Sequence, residues 1–393
     1  MSHSKRILMP VLALLLAVVP LFCSLGGLLF ARAAVSTPPV LTAPAYILIE
    51  QSSGKVLHGH NMYQQMYPAS TTKIMTAMLA LENLQLEDSI TLPDDFINVG
   101  ETSLGLLPGA TQNVEELLMA MMLRSANDAA QAVAIGVSGS EEAFVEQMNA
   151  RVAELGLSHT HFVNPHGLHD ANHYTTAYDL AQIARAALDN PDFCRIINTE
   201  SCTVHKLNGE DDFEVYNRNN LLTQYELADG VKTGYTKQAG NCFVASATNA
   251  EGMQLIAVVL SSENIYDDAQ ALLEWGFDNF GRTLIVDANT VKGSLPVLNG
   301  GREQVAVLTE KPLYFIGASE EAADFAENIE LPASITAPVH RGEVVGALTY
   351  TDANGDTYST NLLAAKDVGK YSLKLVVRQS FQSVWQVFVV PFS

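Results

Sequence analysis

The rhythm of apolar and polar positions changes several times along this chain. Residues 7–30 carry no charge, behind a start marked by Lys5 and Arg6. Residues 34–44, with Pro38, Pro39 and Pro44, read as a linker. Residues 45–50 and 55–58 form two short runs joined by Gln51-Ser52-Ser53-Gly54, the pattern of a β-hairpin. Over residues 69–85, Ile74, Met75, Met78, Leu79 and Leu81 fall on or near one helical stripe, with Pro68 just ahead of the start. Residues 86–190 predict a mainly helical region. Its segments are 114–124, with Glu115 and Glu116 in the first turn, then 128–137, 141–155 and 176–188. A His-rich loop at 158–174 separates the last two. Residues 229–261 turn to strands at 231–234, 243–248 and 254–260, and 268–280 closes as a helix carrying Leu272, Leu273, Trp275 and Phe277.

From about residue 284 short β-like runs (290–298, 304–308, 334–337, 344–350, 359–364) alternate with Gly, Asn and Asp turns. They predict a small all-β domain at 284–368. Residues 369–393 differ again. Leu373, Val377, Phe381, Val384 and Phe388 recur at steps of four and three, beside a basic stripe of Lys370, Lys374 and Arg378, with Trp385 added. That is the pattern of a helix lying in a membrane interface; a terminal helix or strand packed on the β domain is the alternative. At the other end, Ala31-Arg32-Ala33 fits a small-x-small cleavage site where the apolar run stops. Residues 1–33 therefore read as a signal peptide, with a retained anchor as the alternative. The organisation expected is signal peptide 1–33, linker 34–44, catalytic domain 45–283, β domain 284–368 and amphipathic tail 369–393.

Composition narrows the classes of partner. The 393 residues carry a net charge of −21, and losing Lys5, Arg6 and Arg32 with the leader, and no acid, makes it −24. So acidic a protein is a poor candidate for binding nucleic acid, which rewards clustered Lys and Arg. Of four cysteines, Cys194, Cys202 and Cys242 lie beyond the leader; an odd number is not a disulfide framework. A Cys194–Cys202 bridge and buried free thiols are both open.

Three motifs occur in order: Ser70-Thr71-Thr72-Lys73, Ser125-Ala126-Asn127 and Lys232-Thr233-Gly234. Together they hold a nucleophile, two candidate bases and a cationic anchor, the parts of acyl transfer through a serine ester. They need no cofactor and no metal. Single motifs are weak evidence. Ser-x-x-Lys recurs at Ser52/Lys55 and Ser-x-Asn at Ser359/Asn361, in a predicted hairpin turn and in the β domain. Ser70 and Lys73, three apart on a helix, share a face. Lysine deprotonates the hydroxyl only if its pKa falls from about 10.4 through desolvation or a nearby cation, which Lys232 can supply. Ser125 can relay a proton to a leaving amine and the Asn127 amide can hold Lys73 or substrate; helix capping is the plain alternative for both. Lys232 and Thr233 can bind a substrate carboxylate, and Gly234 lets a backbone approach. The backbone N–H groups of Ser70 and Tyr235 can form an oxyanion hole.

The trio resembles the penicillin-binding protein and class A β-lactamase set. The match extends through Ser52-Ser53-Gly54-Lys55-Val56-Leu57, Pro68-Ala69-Ser70-Thr71-Thr72-Lys73-Ile74-Met75-Thr76 and Asn164-Pro165-His166-Gly167-Leu168. Further on it includes Tyr178-Asp179-Leu180-Ala181, Asn217-Arg218-Asn219 and Asp229-Gly230-Val231-Lys232-Thr233-Gly234. These resemble the serine-type D-Ala-D-Ala carboxypeptidases, low-molecular-weight penicillin-binding proteins of the bacterial cell wall, strongly over 45–280 and loosely beyond. The resemblance implies an α/β (α+β) fold: an antiparallel sheet flanked by helices, a helical subdomain and a small β domain. It implies Ser70 as nucleophile, Lys73 as general base, Ser125 as relay, Asn127 as substrate-positioning residue, and Lys232 with Thr233 on the terminal carboxylate. It also implies a peptidoglycan stem peptide ending in D-Ala-D-Ala as substrate and β-lactam antibiotics as mimics. The layout implied is an exported protein attached by its C-terminal tail to the outer face of the cytoplasmic membrane. Tyr235 departs from the pattern, since many relatives place His there.

Rival readings follow from the same residues. A class A β-lactamase adds a deacylating Glu, and this chain has no Glu from Leu155 to Thr199. A D,D-endopeptidase acting on cross-links would use the same site. His159, His161, His166, His169 and His173 with Asp170 raise a zinc hydrolase, although their spacing matches no helical ligand pair. A cell-wall scaffold with a dead site would not need competent residue types at every catalytic position.

Overall fold

The computed structural model describes residues 35–205, 212–318, 325–353 and 355–371. The signal segment 1–33 and residues 372–393 of the amphipathic tail lie outside them. The chain opens with β1 (Ala45–Glu50) and β2 (Val56–His60), then a 3-10 turn at Ala69–Thr72 running into α1 (Lys73–Asn83). Two short strands, β3 (Ser89–Thr91) and β4 (Thr111–Asn113), bracket a long loop. The helical body is α2 (Val114–Met119), a wider π-turn over Ala120–Arg124, α3 (Asn127–Ser138), α4 (Glu141–Glu154), α5 (Ala177–Ala187) and α6 (Pro191–Asn198). Next come β5 (Ser201–Val204), β6 (Phe213–Tyr216), the single-turn α7 (Leu221–Gln224), and the long strands β7 (Ala228–Thr236), β8 (Gly240–Thr248) and β9 (Gln254–Ser262). The last helix, α8 (Ile265–Asn279), completes this part.

Side-chain caps fix several helix starts. Asn113, Ser140, Thr176 and Asn190 accept backbone N–H groups at the heads of α2, α4, α5 and α6, and Pro191 sits in the first turn of α6. The long strands form one antiparallel sheet ordered β2-β1-β9-β8-β7. Both of its faces are covered, so its central strands are apolar throughout rather than alternating. Ile47, Ile49, Ile256 and Val258 face the helical body with Ile74 and Met75, while Leu48, Leu255, Ala257 and Val259 pack with Leu272 and Leu273 of α8. Residues 36–43 of the expected linker are tied to α8. The Asp268 carboxylate accepts from the backbone N–H of Thr42 and Ala43 and from Ser262 Oγ, and Trp275 Nε1 donates to Ser36 O.

Beyond α8 lie β10 (Gly281–Val286), β11 (Val291–Leu298), β12 (Gln304–Thr309), β13 (Leu313–Gly317), β14 (Ala326–Glu330), β15 (Ile335–Thr336), β16 (Val344–Thr351) and β17 (Thr357–Ala364). Six of them make a sheet ordered β14-β16-β17-β12-β11-β15, and β10 pairs with β13. Leu295, Val307, Phe315, Leu348 and Leu362 form a core of their own. Lys55 reaches this part, donating to Ile316 O at 3.0 Å and lying 3.1 Å from Asp356 Oδ2, while Ser52 Oγ donates to Glu50. The Ser52/Lys55 pair is thus structural.

Several elements depart from the sequence pattern. The region 86–190 contains β3, β4 and the loop between them, because these strands bury one residue each (Ile90, Gln112) and leave no alternation to read. The pair β5–β6 is equally short, with Val204 and Val215 its buried positions. The helix expected over 114–124 widens to a π-turn after Met119. Of the tail, residues 369–371 are described: Lys370 bridges Gly300 and Tyr371 N donates to Asn299 O, so this start runs along the β domain, and the amphipathic pattern from Leu373 on lies outside the described residues. Cys194, Cys202 and Cys242 are free thiols. Among the described residues no helix is long and apolar enough to cross a membrane.

Candidate active site

The site is built on the turn that leads into α1. Ala69 holds φ +50°, left-handed for a non-glycine residue, and is buried. Such a conformation costs roughly 1 kcal/mol and persists only where neighbours over-determine it. Here they do. Thr71 Oγ1 donates to Pro68 O at 2.6 Å and Thr72 Oγ1 to Ala69 O at 2.8 Å. Gly167 presses on the same carbonyl; a Cβ on it would lie 1.9 Å from Ala69 O. The result is Ser70, partly exposed, at the head of the helix with Lys73 one turn on.

Lys73 is fully buried. Its Nζ lies 3.1 Å from Ser70 Oγ, 2.8 Å from Asn127 Oδ1 and 2.6 Å from the carbonyl oxygen of His166. Burial lowers its pKa well below the usual lysine value, and the charges of Lys232 and Arg218 lower it further, against an opposing pull from Glu101 and Asp128. Nζ donates to all three: Ser70 Oγ, Asn127 Oδ1 and the His166 carbonyl. Loss of one proton leaves a lone pair available to the Ser70 hydroxyl.

Each partner is itself held. Asn164 closes the turn through Pro165, His166 and Gly167, accepting from Gly167 N and donating to Leu168 O. The turn presents two carbonyls to α1: His166 O to Lys73 and Pro165 O to Thr76 Oγ1. Asn127 donates from its backbone to Thr102 O and from Nδ2 to Gly100 O, which leaves Oδ1 for the lysine. Ser125, at the end of the π-turn, is left-handed at φ +69° and buried. Its hydroxyl has no hydrogen-bond partner among the described residues, so its bonding capacity is free for a substrate or a proton in transit.

Lys232, Thr233 and Gly234 lie on β7, the outer strand of the sheet. A Cβ at Gly234 would sit 2.8 Å from Ser70 N and 3.0 Å from Thr71 N, so the strand passes directly against the Ser70 turn. Lys232 is buried and donates to Thr233 O, and burial plus the Arg218 charge pushes its pKa down to about 7. Thr233 is half-buried and Tyr235 is exposed at 65%. An outer strand offers unpaired backbone groups to an extended peptide.

The structure therefore joins Ser70, Lys73 and Asn127 by direct hydrogen bonds, couples Lys232 to Lys73 by charge, and seats Gly234 on the Ser70 turn. Ser125 stands two residues before Asn127, with no hydrogen bond to Lys73. Arg218 is a further residue of this site that the three motifs do not include. Asn217 positions it, accepting from Asn219 N and donating to Ile197 O and Thr199 O, and Arg218 Nη1 donates to Thr102 Oγ1. The Asn217-Arg218-Asn219 motif was its only sequence signal. The histidines of the 158–174 loop take separate places. His166 Nδ1 accepts from Leu168 N, His161 contacts Asn172 O, and His173 contacts Thr72. Among the described residues no three His, Cys, Asp or Glu side chains converge as metal ligands.

Comparison with known proteins matches this geometry to a family. The model of the D-alanyl-D-alanine carboxypeptidase family matches residues 32–264, and that of the penicillin-binding protein 5 C-terminal domain matches 280–370. The chain is 32% identical over 334 residues to the D-alanyl-D-alanine carboxypeptidase DacF of Bacillus subtilis, covering 83% of this chain and 85% of the relative. It is 33% identical over 350 residues to DacA of Haemophilus influenzae, covering 85% and 87%. Among solved structures, penicillin-binding protein 5 from H. influenzae aligns with TM-score 0.66 at 32% identity, over 85% of this chain and all of that one. On these matches the chain belongs to the D-alanyl-D-alanine carboxypeptidase family, with its serine-peptidase fold followed by an all-β C-terminal domain.

Proposed function

We propose that this protein is a serine carboxypeptidase that removes the terminal D-alanine from peptidoglycan stem pentapeptides and takes β-lactams as covalent mimics. The observation that carries the reading is a buried lysine amine 3.1 Å from a serine hydroxyl, kept toward neutrality by burial and two neighbouring cations. Lys73 takes the Ser70 proton as Oγ attacks the penultimate D-alanyl carbonyl. Backbone N–H groups at Ser70 and Tyr235 receive the developing oxyanion, each such donor being worth about 3 kcal/mol. The C–N bond breaks as the proton taken by Lys73 is relayed through Ser125 to the departing D-alanine amine, which leaves the Lys73 amine neutral. Water then attacks the ester, with Lys73 again as base, and returns free Ser70 and a shortened stem peptide. Lys232 and Thr233, with Arg218 adding charge, bind the terminal carboxylate, and Asn127 aligns Lys73 and the substrate amide. Buried Lys232 and exposed Arg218, coupled by charge, supply positive potential in a chain of net charge −21, which suits an anionic peptide end.

The leader-like segment 1–33 and the basic amphipathic pattern of the tail support a location outside the cytoplasm, attached to the outer face of the membrane. The test of function is release of D-alanine from diacetyl-L-Lys-D-Ala-D-Ala. We expect turnover by the wild-type protein and none by Ser70→Ala. Turnover that persists in Ser70→Ala, or an inert wild-type protein that still folds, would overturn the reading.

A further inference from the structure

The Ala69 carbonyl, in the peptide that carries the Ser70 N–H, is tethered by a hydrogen-bond chain that starts about a hundred residues away. Thr72 Oγ1 donates to Ala69 O at 2.8 Å and lies 2.8 Å from His173 Nε2. His173 Nδ1 in turn accepts from the backbone N–H of Val163 at 3.1 Å. Because Val163 donates to Nδ1, the ring proton sits on Nε2, and Nε2–H donates to Thr72. Each group then has one role: Val163 N–H to His173, His173 N–H to Thr72, Thr72 O–H to the Ala69 carbonyl. Burial keeps the ring neutral, pushing His173 down to about 4. Phe162 packs edge-on against the ring, 5.4 Å between centroids. His173, Thr72 and Ala69 are all buried.

The carbonyl of Ala69 and the N–H of Ser70 belong to one planar trans peptide, so fixing one fixes the other in the opposite direction. The peptide follows a residue at φ +50° with a cost to relieve. Gly167 blocks it on one side, and the Thr72 hydroxyl tethers it. We propose that Thr72 and His173 are positioning residues for acylation: through the Ala69 carbonyl they aim the Ser70 N–H at the oxyanion. The proposal rests on Ser70 being the nucleophile, and it assigns a use to the second variable position of the Ser-x-x-Lys motif and to one histidine of the 158–174 loop.

The test is the acylation rate constant and apparent affinity for a fluorescent penicillin, with kcat and KM on the D-Ala-D-Ala peptide and a thermal melt for each variant. Thr72→Val keeps the shape of the side chain and removes the hydroxyl. It should slow acylation and kcat roughly ten- to a hundredfold, a fraction of the loss of a whole oxyanion donor, with KM within about twofold. Thr72→Ser restores the hydroxyl and should return the rate to within about threefold of wild type. His173→Leu should fall with Thr72→Val, and His173→Gln, which keeps an N–H toward Thr72, should recover most of the rate. Wild-type acylation by folded Thr72→Val, or equal loss in Thr72→Val and Thr72→Ser, would overturn the proposal. If Thr72→Val does not fold, the His173 pair makes the same comparison, with equal rates in Leu and Gln variants the overturning result. Ser70→Ala separates the two levels: labelling that survives it removes the nucleophile assignment itself, whereas labelling lost in Ser70→Ala with wild-type rates in the relay variants removes only the relay.

Discussion

Replacing Gly234 by alanine tests whether β7 and the Ser70 turn form one catalytic surface. The new methyl would lie 2.8 Å from Ser70 N, 3.0 Å from Thr71 N and 3.2 Å from the Ala69 Cβ, where ordinary contact begins at 3.4 Å. These neighbours are mostly backbone, in a turn already pinned by Thr71, Thr72 and Gly167, so rotamer change cannot absorb the clash. The strand and the turn must separate by about 0.6 Å, the difference between 3.4 and 2.8 Å. Oxyanion donors act within a window of about 0.4 Å, from 2.7 to 3.1 Å. A 0.6 Å displacement takes at least one donor out of that window. The expected loss is that of one donor, about 3 kcal/mol or roughly a hundredfold in acylation rate. The assay is stopped-flow or gel-based acylation by a fluorescent penicillin, with circular dichroism and a melt to establish the fold. Folded Gly234→Ala that acylates at the wild-type rate would refute the reasoning, because strand and turn would then not share the oxyanion.

Two further outcomes follow from charge. Lys232 lowers the affinity of Lys73 for its proton, so Lys232→Gln should raise the Lys73 pKa and move the acid limb of the acylation profile to higher pH; an unmoved limb would sever that coupling. His166 and His173 titrate near 3 and 4 when folded, against about 6.5 unfolded. The unfolded chain therefore binds more protons in this range. Their contribution is complete above pH 6.5 and is lost as pH falls toward 4, by about 1.4 kcal/mol per unit from each. Urea unfolding at pH 7.5 and pH 5 reads this directly. His173→Gln should remove about half of the histidine-derived slope, and identical midpoints at the two pH values would contradict the assignment.

The pairing of Ser70 with Lys73 is legible because the two sit one helical turn apart, a relation that sequence spacing encodes. Gly234 was legible as a point of close approach, since only one residue type permits it. The apolar runs of β1, β8 and β9 marked strands but not their neighbours: that both sheet faces are covered depends on α5 and α8 folding back from distant parts of the chain. The short strands β3 to β6 bury too few residues to leave a period. Ala69 gave no warning of its left-handed backbone, because the restraints come from Gly167 and from Thr72 through His173. The same holds for Arg218. Its charge acts on Lys73 and Lys232 because tertiary contacts, its N–H on Leu123 O and its guanidinium on Thr102, bring it near them, and nothing in its local sequence carries a charge pattern. The five histidines looked like a cluster because they are close in sequence, yet the turn built by Asn164 sends His166 and His173 to different buried partners.

The proposed activity depends on ester formation at one hydroxyl, activated by one amine. The most direct measurement is the site of the covalent adduct: react the folded protein with benzylpenicillin, quench in acid, digest, and locate the added mass by tandem mass spectrometry. The expected result is a single adduct on Ser70, absent from Ser70→Ala and strongly delayed in a folded Lys73→Met variant. An adduct on Ser125 or elsewhere, or Ser70 acylated at full rate without the Lys73 amine, would contradict it.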